Sequence, residues 1–394
     1  MTVLLLGYII RGPWGGMVWH HFQYLQGLHA MGHELYFLED SDDYPSCYTP
    51  WSAQASTDFS YGVSFLQSVF TKFGLEQRWA YYDAHTNSWH GPVSERIKPI
   101  IKSADLLLNL SGVNPLREWF QGVPVRVLVD TDPVFTQVRH LKKRDSLRDA
   151  LRHNRFFTFG ANIGKPGCKI PDDGLPWRPT RQPVALDLWP VTAGDPKGKF
   201  TTVMQWRSYP AIEYEGTLYG MKSDSFQAFL DLPNRATAVF ELAAKGLGAD
   251  EEMLKRRGWQ IVDAETVTLD PWQYQKYLQQ SSAEFSVAKH GYVVSRSGWF
   301  SERSAAYLSM GRPVLVQDTG FTDWLPSGIG VMPFRSADEA VAGVEAIQGN
   351  YRRHCEAARA IAQEYFDARK VLSAMLDEAM SGAPVEESAK TRAG

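Results

Sequence analysis

Short apolar runs alternate with stretches of helical period along almost the whole chain. Residues 3–9 read as a strand that ends in the turn Gly12-Pro13-Trp14-Gly15-Gly16, and a helix over 17–31 stops at Gly32. A second strand over 33–38 is closed by Glu39 and Asp40, and 41–57 form a polar, turn-rich loop or flap. A helix over 61–73 sets Val63, Leu66 and Phe70 on one face. The pattern continues with a helix over 93–102, a strand over 106–110, a short helical piece over 116–121 and a strand over 125–129. A charged helix over 138–155 and a strand over 156–159 follow. Strand and helix in alternation predict a doubly wound parallel α/β sheet.

Between Gly164 and Pro190 glycine and proline thicken and the period fades, which predicts a domain junction. The alternation then resumes. Strands are expected over 201–205, 238–242, 260–262, 284–287 and 314–316, with helices over 224–230, 250–256, 271–279, 302–310 and 337–347. A long helical stretch over 351–380 closes the chain. The expected organisation is an N-terminal domain over 1–185, a second α/β domain over 186–355, and a terminal helix and tail over 356–394. Ligands of such sheets sit outside the carboxyl ends of the strands, here in a cleft between the domains.

Composition narrows this only a little. A chain of 394 residues holds two domains of ordinary size, and 44% hydrophobic residues make it globular. The net charge of -3 gives no bulk attraction to polyanions, so no nucleic-acid partner is expected. Thirteen tryptophans and seventeen tyrosines suit sugar and base faces, and a large core equally well. Cys47, Cys168 and Cys355 show no metal-ligand spacing, and their odd number argues against a disulfide framework, so a reducing cytoplasm is expected. The first ten residues read as a strand and not as a signal peptide. No apolar run approaches the ~20 residues that cross a bilayer. Membrane contact is left open, since the helix from His140 to Arg155 is basic.

The chemistry concentrates between Ser295 and Phe321. Ser297 and Gly298 form a turn, Ser301 is placed to cap a helix running through Ala305, Ala306, Leu308 and Met310, and Gly311 ends it before the strand Val314-Leu315-Val316. Free N–H groups and the positive dipole end make such a helix start an anion site, suited to a diphosphate.

Met310-Gly311-Arg312-Pro313-Val314 resembles the end of the donor-binding motif of GT-B nucleotide-sugar glycosyltransferases. That resemblance implies two Rossmann-like domains facing a cleft, with the last helix crossing back to the first domain. It implies sugar transfer from a nucleoside-diphosphate sugar, without metal or other cofactor, to a small-molecule, glycan or lipid-linked acceptor held by the first domain. Retaining members carry two glutamates eight apart, and the matching positions here are Gly298 and Ala306. Glu302 is the one acid on this helix and is out of register.

Candidate residues follow from position. Gly15 and Gly16 face the donor in the resembled fold. Arg207, Lys222 and Lys289 fall at strand or turn ends where a diphosphate could sit, with the stretch Ser297, Gly298, Trp299, Phe300, Ser301 and Glu302 opposite. Gln317, Asp318, Thr319 and Gly320 end a central strand and are placed for donor-sugar hydroxyls, although Asp318 also suits a turn. Asp130 and Asp132 follow the strand over 125–129 and could serve as general base, or could cap the next helix. His20, one turn beyond Gly16, is the other base candidate. No acidic pair or histidine cluster has metal-ligand spacing near the phosphate turn. The alternatives are a sugar-nucleotide epimerase of the same fold and a two-domain small-ligand-binding protein. A dehydrogenase with Glu39 or Asp40 on a ribose is the third, and Pro13 and Trp14 break its glycine fingerprint.

Overall fold

The computed structural model describes residues 1–381 apart from 51 and 53. The expected tail over 382–394, and two positions of the expected flap, lie outside the described residues. The first sheet is built from β1 (Thr2–Leu6), β2 (Glu34–Asp40), β3 (Trp79–Asp83), β4 (Ser88–His90), β5 (Leu106–Leu110), β6 (Val125–Asp130), β7 (Arg155–Thr158) and β8 (Arg178–Pro179). Its order is β4-β3-β2-β1-β5-β6-β7-β8, parallel except for the β3–β4 hairpin. Among the described residues the α-helices of this half are α1 (Gly15–Ala30), α2 (Ser60–Lys72), α3 (Ile97–Ser103), α4 (Phe135–Lys142) and α5 (Arg144–Ala150).

The second half contains β9 (Phe200–Gln205), a hairpin of β10 (Ile212–Tyr214) and β11 (Thr217–Tyr219), β12 (Phe240–Lys245), β13 (Gln260–Asp263), β14 (Ala283–Ser286), β15 (Val314–Gln317) and β16 (Val331–Phe334). Its parallel sheet runs β13-β12-β9-β14-β15-β16. Helices α6 (Lys222–Phe226), α7 (Leu232–Arg235), α8 (Asp250–Arg256), α9 (Ala264–Thr268) and α10 (Pro271–Gln280) precede α11 (His290–Val294), α12 (Glu302–Ser309) and α13 (Ala337–Gly349). The chain ends with α14 (Tyr351–Tyr365) and α15 (Ala368–Ser381).

β1 shows why the sheet is covered on both faces. Val3 and Leu5 pack into one apolar cluster with Phe22 and Phe70 of α1 and α2. Leu4 and Leu6 point the other way, to Ile97 and Ile101 of α3. A strand buried on both sides needs helices on both sides, and the order reverses beside β1 and beside β9. These reversals open the two carboxyl edges that face each other.

The chain returns through a break in the last helical stretch. Val184 and Asp367 pair as a parallel bridge, with Ala368 N–H donating to the Val184 carbonyl at 2.9 Å. This exchange separates α14 from α15 and lays α15 on α1, where a Cβ at Gly27 would collide with Ala368 and Leu372. The single helix expected over 351–380 is therefore two. The helix expected over 138–155 also splits, because Lys143 is extended (φ -131°, ψ 102°) between α4 and α5. The β3–β4 hairpin was not expected: β3 is buried along its whole length, so it shows no alternation to read. Among the described residues no helix is long and apolar enough to cross a membrane.

Candidate functional site

The carboxyl end of β14 carries a group of cations. Arg303 of α12 is buried and fully tethered: Nε donates to Glu284 at 2.7 Å, Nη1 to the Val203 carbonyl at 2.7 Å and Nη2 to Ser286 Oγ at 2.6 Å. Lys222 opens α6 nearby, half-buried, and makes no hydrogen bond or ion pair among the described residues. Burial, then the charges of Arg303 and Lys289, lower its pKa to about 7. Ser301 caps α12, its hydroxyl accepting the Arg303 N–H at 3.2 Å. In front of that helix start lies a small pocket lined by Ser286, Ala288, Ser301, Ser304, Gln317 and Thr319. Lys222, beside Arg303 and Lys289, has no counter-ion among the described residues, so this corner favours an incoming anion.

Lys289 does have a counter-ion, and it comes from the other domain. Lys289 Nζ donates to Asp132 Oδ1 at 2.8 Å and to the Tyr209 hydroxyl at 2.8 Å. Tyr209 and Tyr292 both donate their hydroxyls to Asp132. Burial, followed by the Asp132 charge, raises the pKa of both phenols well above the usual tyrosine range. The Lys289 ammonium also lies 4.5 Å from the Tyr209 ring centre and 5.0 Å from that of Phe135. The loop presenting Asp132 is strained, since Val134 sits at φ 71° with its N–H on Gln137 Oε1.

Asp130, two residues earlier, has a different place. It is 2% exposed and accepts from Thr136, Gln137, Thr158 and the Asp132 amide. Burial pushes its pKa up, and no oxygen is left to take a proton from a ligand. It ties β6 to β7 and α4. His20 lies in the domain contact, with Nδ1 3.6 Å from Glu302 and Nε2 buried without a partner among the described residues. Its neighbour His21 is structural: Nδ1 donates to the Met17 carbonyl and Nε2 accepts from the Tyr8 amide, and burial holds its pKa well below normal.

Glycines expected to admit a ligand admit the other domain. A Cβ at Gly15 would collide with the Asp270 carbonyl, and one at Gly16 would touch Tyr274 at 3.4 Å. A Cβ at Gly298 would lie 2.7 Å from Asn162 Cγ. Asn162 reaches across from the first half, its amide donating to the Gly320 carbonyl at 2.9 Å and its backbone N–H to the Ser297 carbonyl at 3.1 Å. Gly298 itself donates to the Thr319 carbonyl, and Thr319 Oγ1 donates to the Trp299 carbonyl. Gln182 reaches the Phe300 carbonyl.

The remaining candidates divide. Gln317 faces the small pocket and accepts the Ala288 N–H at 3.1 Å. Asp318 accepts from Gly320 N–H and Arg335, the pattern of a turn former. Arg207 is exposed and paired with Asp250 at 2.7 Å, and no contact joins it to Lys222 or Lys289. Glu39 is spent on the β1–α1 loop, accepting the N–H groups of Ile9, Ile10 and Arg11 at 2.7 Å, so it is not free for a ribose. Tyr209, Tyr292 and Asn162 carried no sequence signal, because each acts through a partner distant in the chain.

An alpha-glucosyltransferase in complex with UDP superposes with a TM-score of 0.59 at 10% identity, over 96% of this chain and 99% of that one. The Anabaena HepE protein, solved with UDP and glucose, gives 0.54 at 10% identity over 97% and 100%. The lipopolysaccharide outer core galactosyltransferase WaaB gives 0.53 at 12% over 96% and 99%. The fold is GT-B. No family model and no curated protein sequence matches the chain.

One expectation is overturned by the same comparison. A GT-B alpha-glucosyltransferase with a TM-score of 0.58, at 12% identity over 96% and 99%, was solved with UDP and a 13-mer DNA containing an A:G mismatch. Others were solved with DNA containing an HMU base or an abasic site. The GT-B frame carries DNA, so the near-balanced net charge does not exclude a nucleic-acid partner.

Proposed function

We propose that this chain is a glycosyltransferase that takes a sugar from a nucleoside-diphosphate sugar. The observation that carries the reading is Lys222: a half-buried lysine without a counter-ion among the described residues, beside Arg303 and Lys289 and facing the same corner as the capped start of α12. A diphosphate supplies the missing negative charge. As the glycosidic bond breaks, charge builds on the leaving phosphate, and fixed cations and N–H groups stabilise it without reorganising. Gln317 and Thr319 are the groups nearest that corner for donor-sugar hydroxyls. Asp132 is the candidate base, since it alone of the two strand-end aspartates reaches the domain contact.

The cations do the work a metal would do, so binding should need none. The three cysteines are unpaired, which suits a reducing compartment such as the cytoplasm. Calorimetry with UDP, GDP, ADP and TDP, with and without EDTA, tests the reading. At least one diphosphate should bind in EDTA; no binding at all, or strict dependence on magnesium or manganese, would overturn it. Products from labelled sugar nucleotides then name the reaction, with glycosides and, because relatives of this fold carry it, DNA offered as acceptors.

A further inference from the structure

A polar cavity of about 430 Å³ opens on the N-terminal sheet beneath α4 and α5, next to the Asp132 loop but outside the cationic corner. Its floor is apolar, made by Leu116, Leu128 and Ala150. One wall is the turn after β5, where Ser111 is held at φ 60° and shares a 2.7 Å hydrogen bond with Thr131. The residue that defines its chemistry is Asn109, 1% exposed at the end of β5. Its amide N–H groups go to the Asn114 carbonyl at 3.0 Å and to His153 Nε2 at 3.1 Å. These two acceptors fix the orientation of the amide. His153 Nδ1 donates to the Ala150 carbonyl at 3.0 Å, so Nε2 accepts, and burial holds the ring neutral with a pKa of about 4. Asn109 Oδ1 is left buried with no partner among the described residues.

A buried carbonyl oxygen without a donor destabilises the fold, because its lost hydration is not replaced. A ligand O–H or N–H would recover that. A charged ligand group is not called for at the depth of Asn109, because the charges on the wall, apart from Arg139 at the exposed rim, are already matched. Arg117 holds Asp40 and Asp43, Arg152 lies 3.9 Å from Asp149, and Asp130 is saturated. The volume lies in the range of small-ligand sites. Arg139 is exposed on the lining and unpaired among the described residues, and Asp130 and Thr136, on either side of the Asp132 loop, line the same cavity.

We infer that this cavity receives a neutral, hydroxyl-bearing ring, the reacting end of the acceptor, with a hydroxyl or N–H donating to Asn109 Oδ1. The inference rests on the glycosyltransferase reading for the word acceptor, and on the cavity alone for the binding. A free glycoside and a nucleoside share this chemistry, so both are probes.

The full chain, with and without saturating UDP, is titrated with methyl hexopyranosides and with nucleosides other than uridine, followed by ligand-observed NMR. One series should bind saturably. Ser146→Trp, which fills the cavity from the surface of α5, should abolish that binding, and Asn109→Leu should weaken it at least tenfold. Both variants should keep the UDP affinity of the wild type. Ser146 makes no side-chain hydrogen bond among the described residues, so its variant keeps the test open should Asn109→Leu fail to fold. If neither series binds, or binding survives Ser146→Trp, the inference is lost. Failure of UDP to bind would instead strike the nucleotide reading, while the glycoside and nucleoside titrations would still judge the cavity.

Discussion

Lys222 carries a conflict between stability and binding. Its pKa falls from 10.5 to about 7 chiefly because the folded chain buries it. Between those values the unfolded chain holds more protons, so this group makes stability rise with pH across that window. Below about pH 7 both states are charged and the burial penalty is fully present. Binding runs the other way: an anion favours the charged lysine, so above about pH 7 the site must first take up a proton. Affinity for a UDP-sugar, whose phosphates do not titrate near neutrality, should fall roughly ten- to thirtyfold from pH 6 to pH 8.5. Lys222→Met should raise the melting temperature, weaken binding roughly ten- to a hundredfold, and flatten that pH profile. A variant that kept the slope would place the titrating group elsewhere.

The turn before α12 illustrates how an element can be legible and its use still misread. The helix, its Ser301 cap and its glycine stop follow from local pattern, and Ser301 does accept the Arg303 N–H. The space left by Gly298 does not serve an anion. It serves Asn162: Gly298 sits at φ 74°, and the Asn162 side chain lies where a Cβ would go. Gly298→Ala should therefore cost stability in two parts, ~1–2 kcal/mol for the left-handed backbone and a further amount for the collision. In a double-mutant cycle with Asn162→Ala, chemical denaturation should show the side-chain share of the second part recovered, while the backbone cost and the clash with the Asn162 backbone nitrogen, 2.9 Å from that Cβ, are retained. Equal losses in both backgrounds would mean that Asn162 does not set the need for glycine there.

At the scale of the molecule, Asp132 acts as the anion on Lys289 across the domain contact. A diphosphate arriving at the α12 corner competes with that carboxylate. Asp132→Asn should thus raise nucleoside-diphosphate affinity several-fold by freeing Lys289, since charge-assisted bonds are the stronger ones. If Asp132 is also the base, the same variant should lower turnover by ~10²–10⁴-fold. Calorimetry and steady-state rates separate the two effects. Unchanged affinity would show that Lys289 stays with Asp132 when the donor binds, and unchanged turnover would return attention to His20 and its unpartnered Nε2.

What the sequence determined by itself was whatever is written within a few residues. The alternating period gave two doubly wound halves, and serine before a helix predicted its cap. Strand ends told where polar residues would gather, which is why Lys222 and Lys289 could be named. Tertiary structure decided which of these meet. Asp132 and Lys289 are 157 residues apart, and Asn162 and Gly320 are 158 apart. No local pattern encodes such pairs, because the chain pays for them in loop entropy and recovers the cost only when two sheets are already in place. The same holds for two neighbouring aspartates: Asp130 and Asp132 look alike in sequence, and only the packing of β7 and α4 buries one and leaves the other at the cleft.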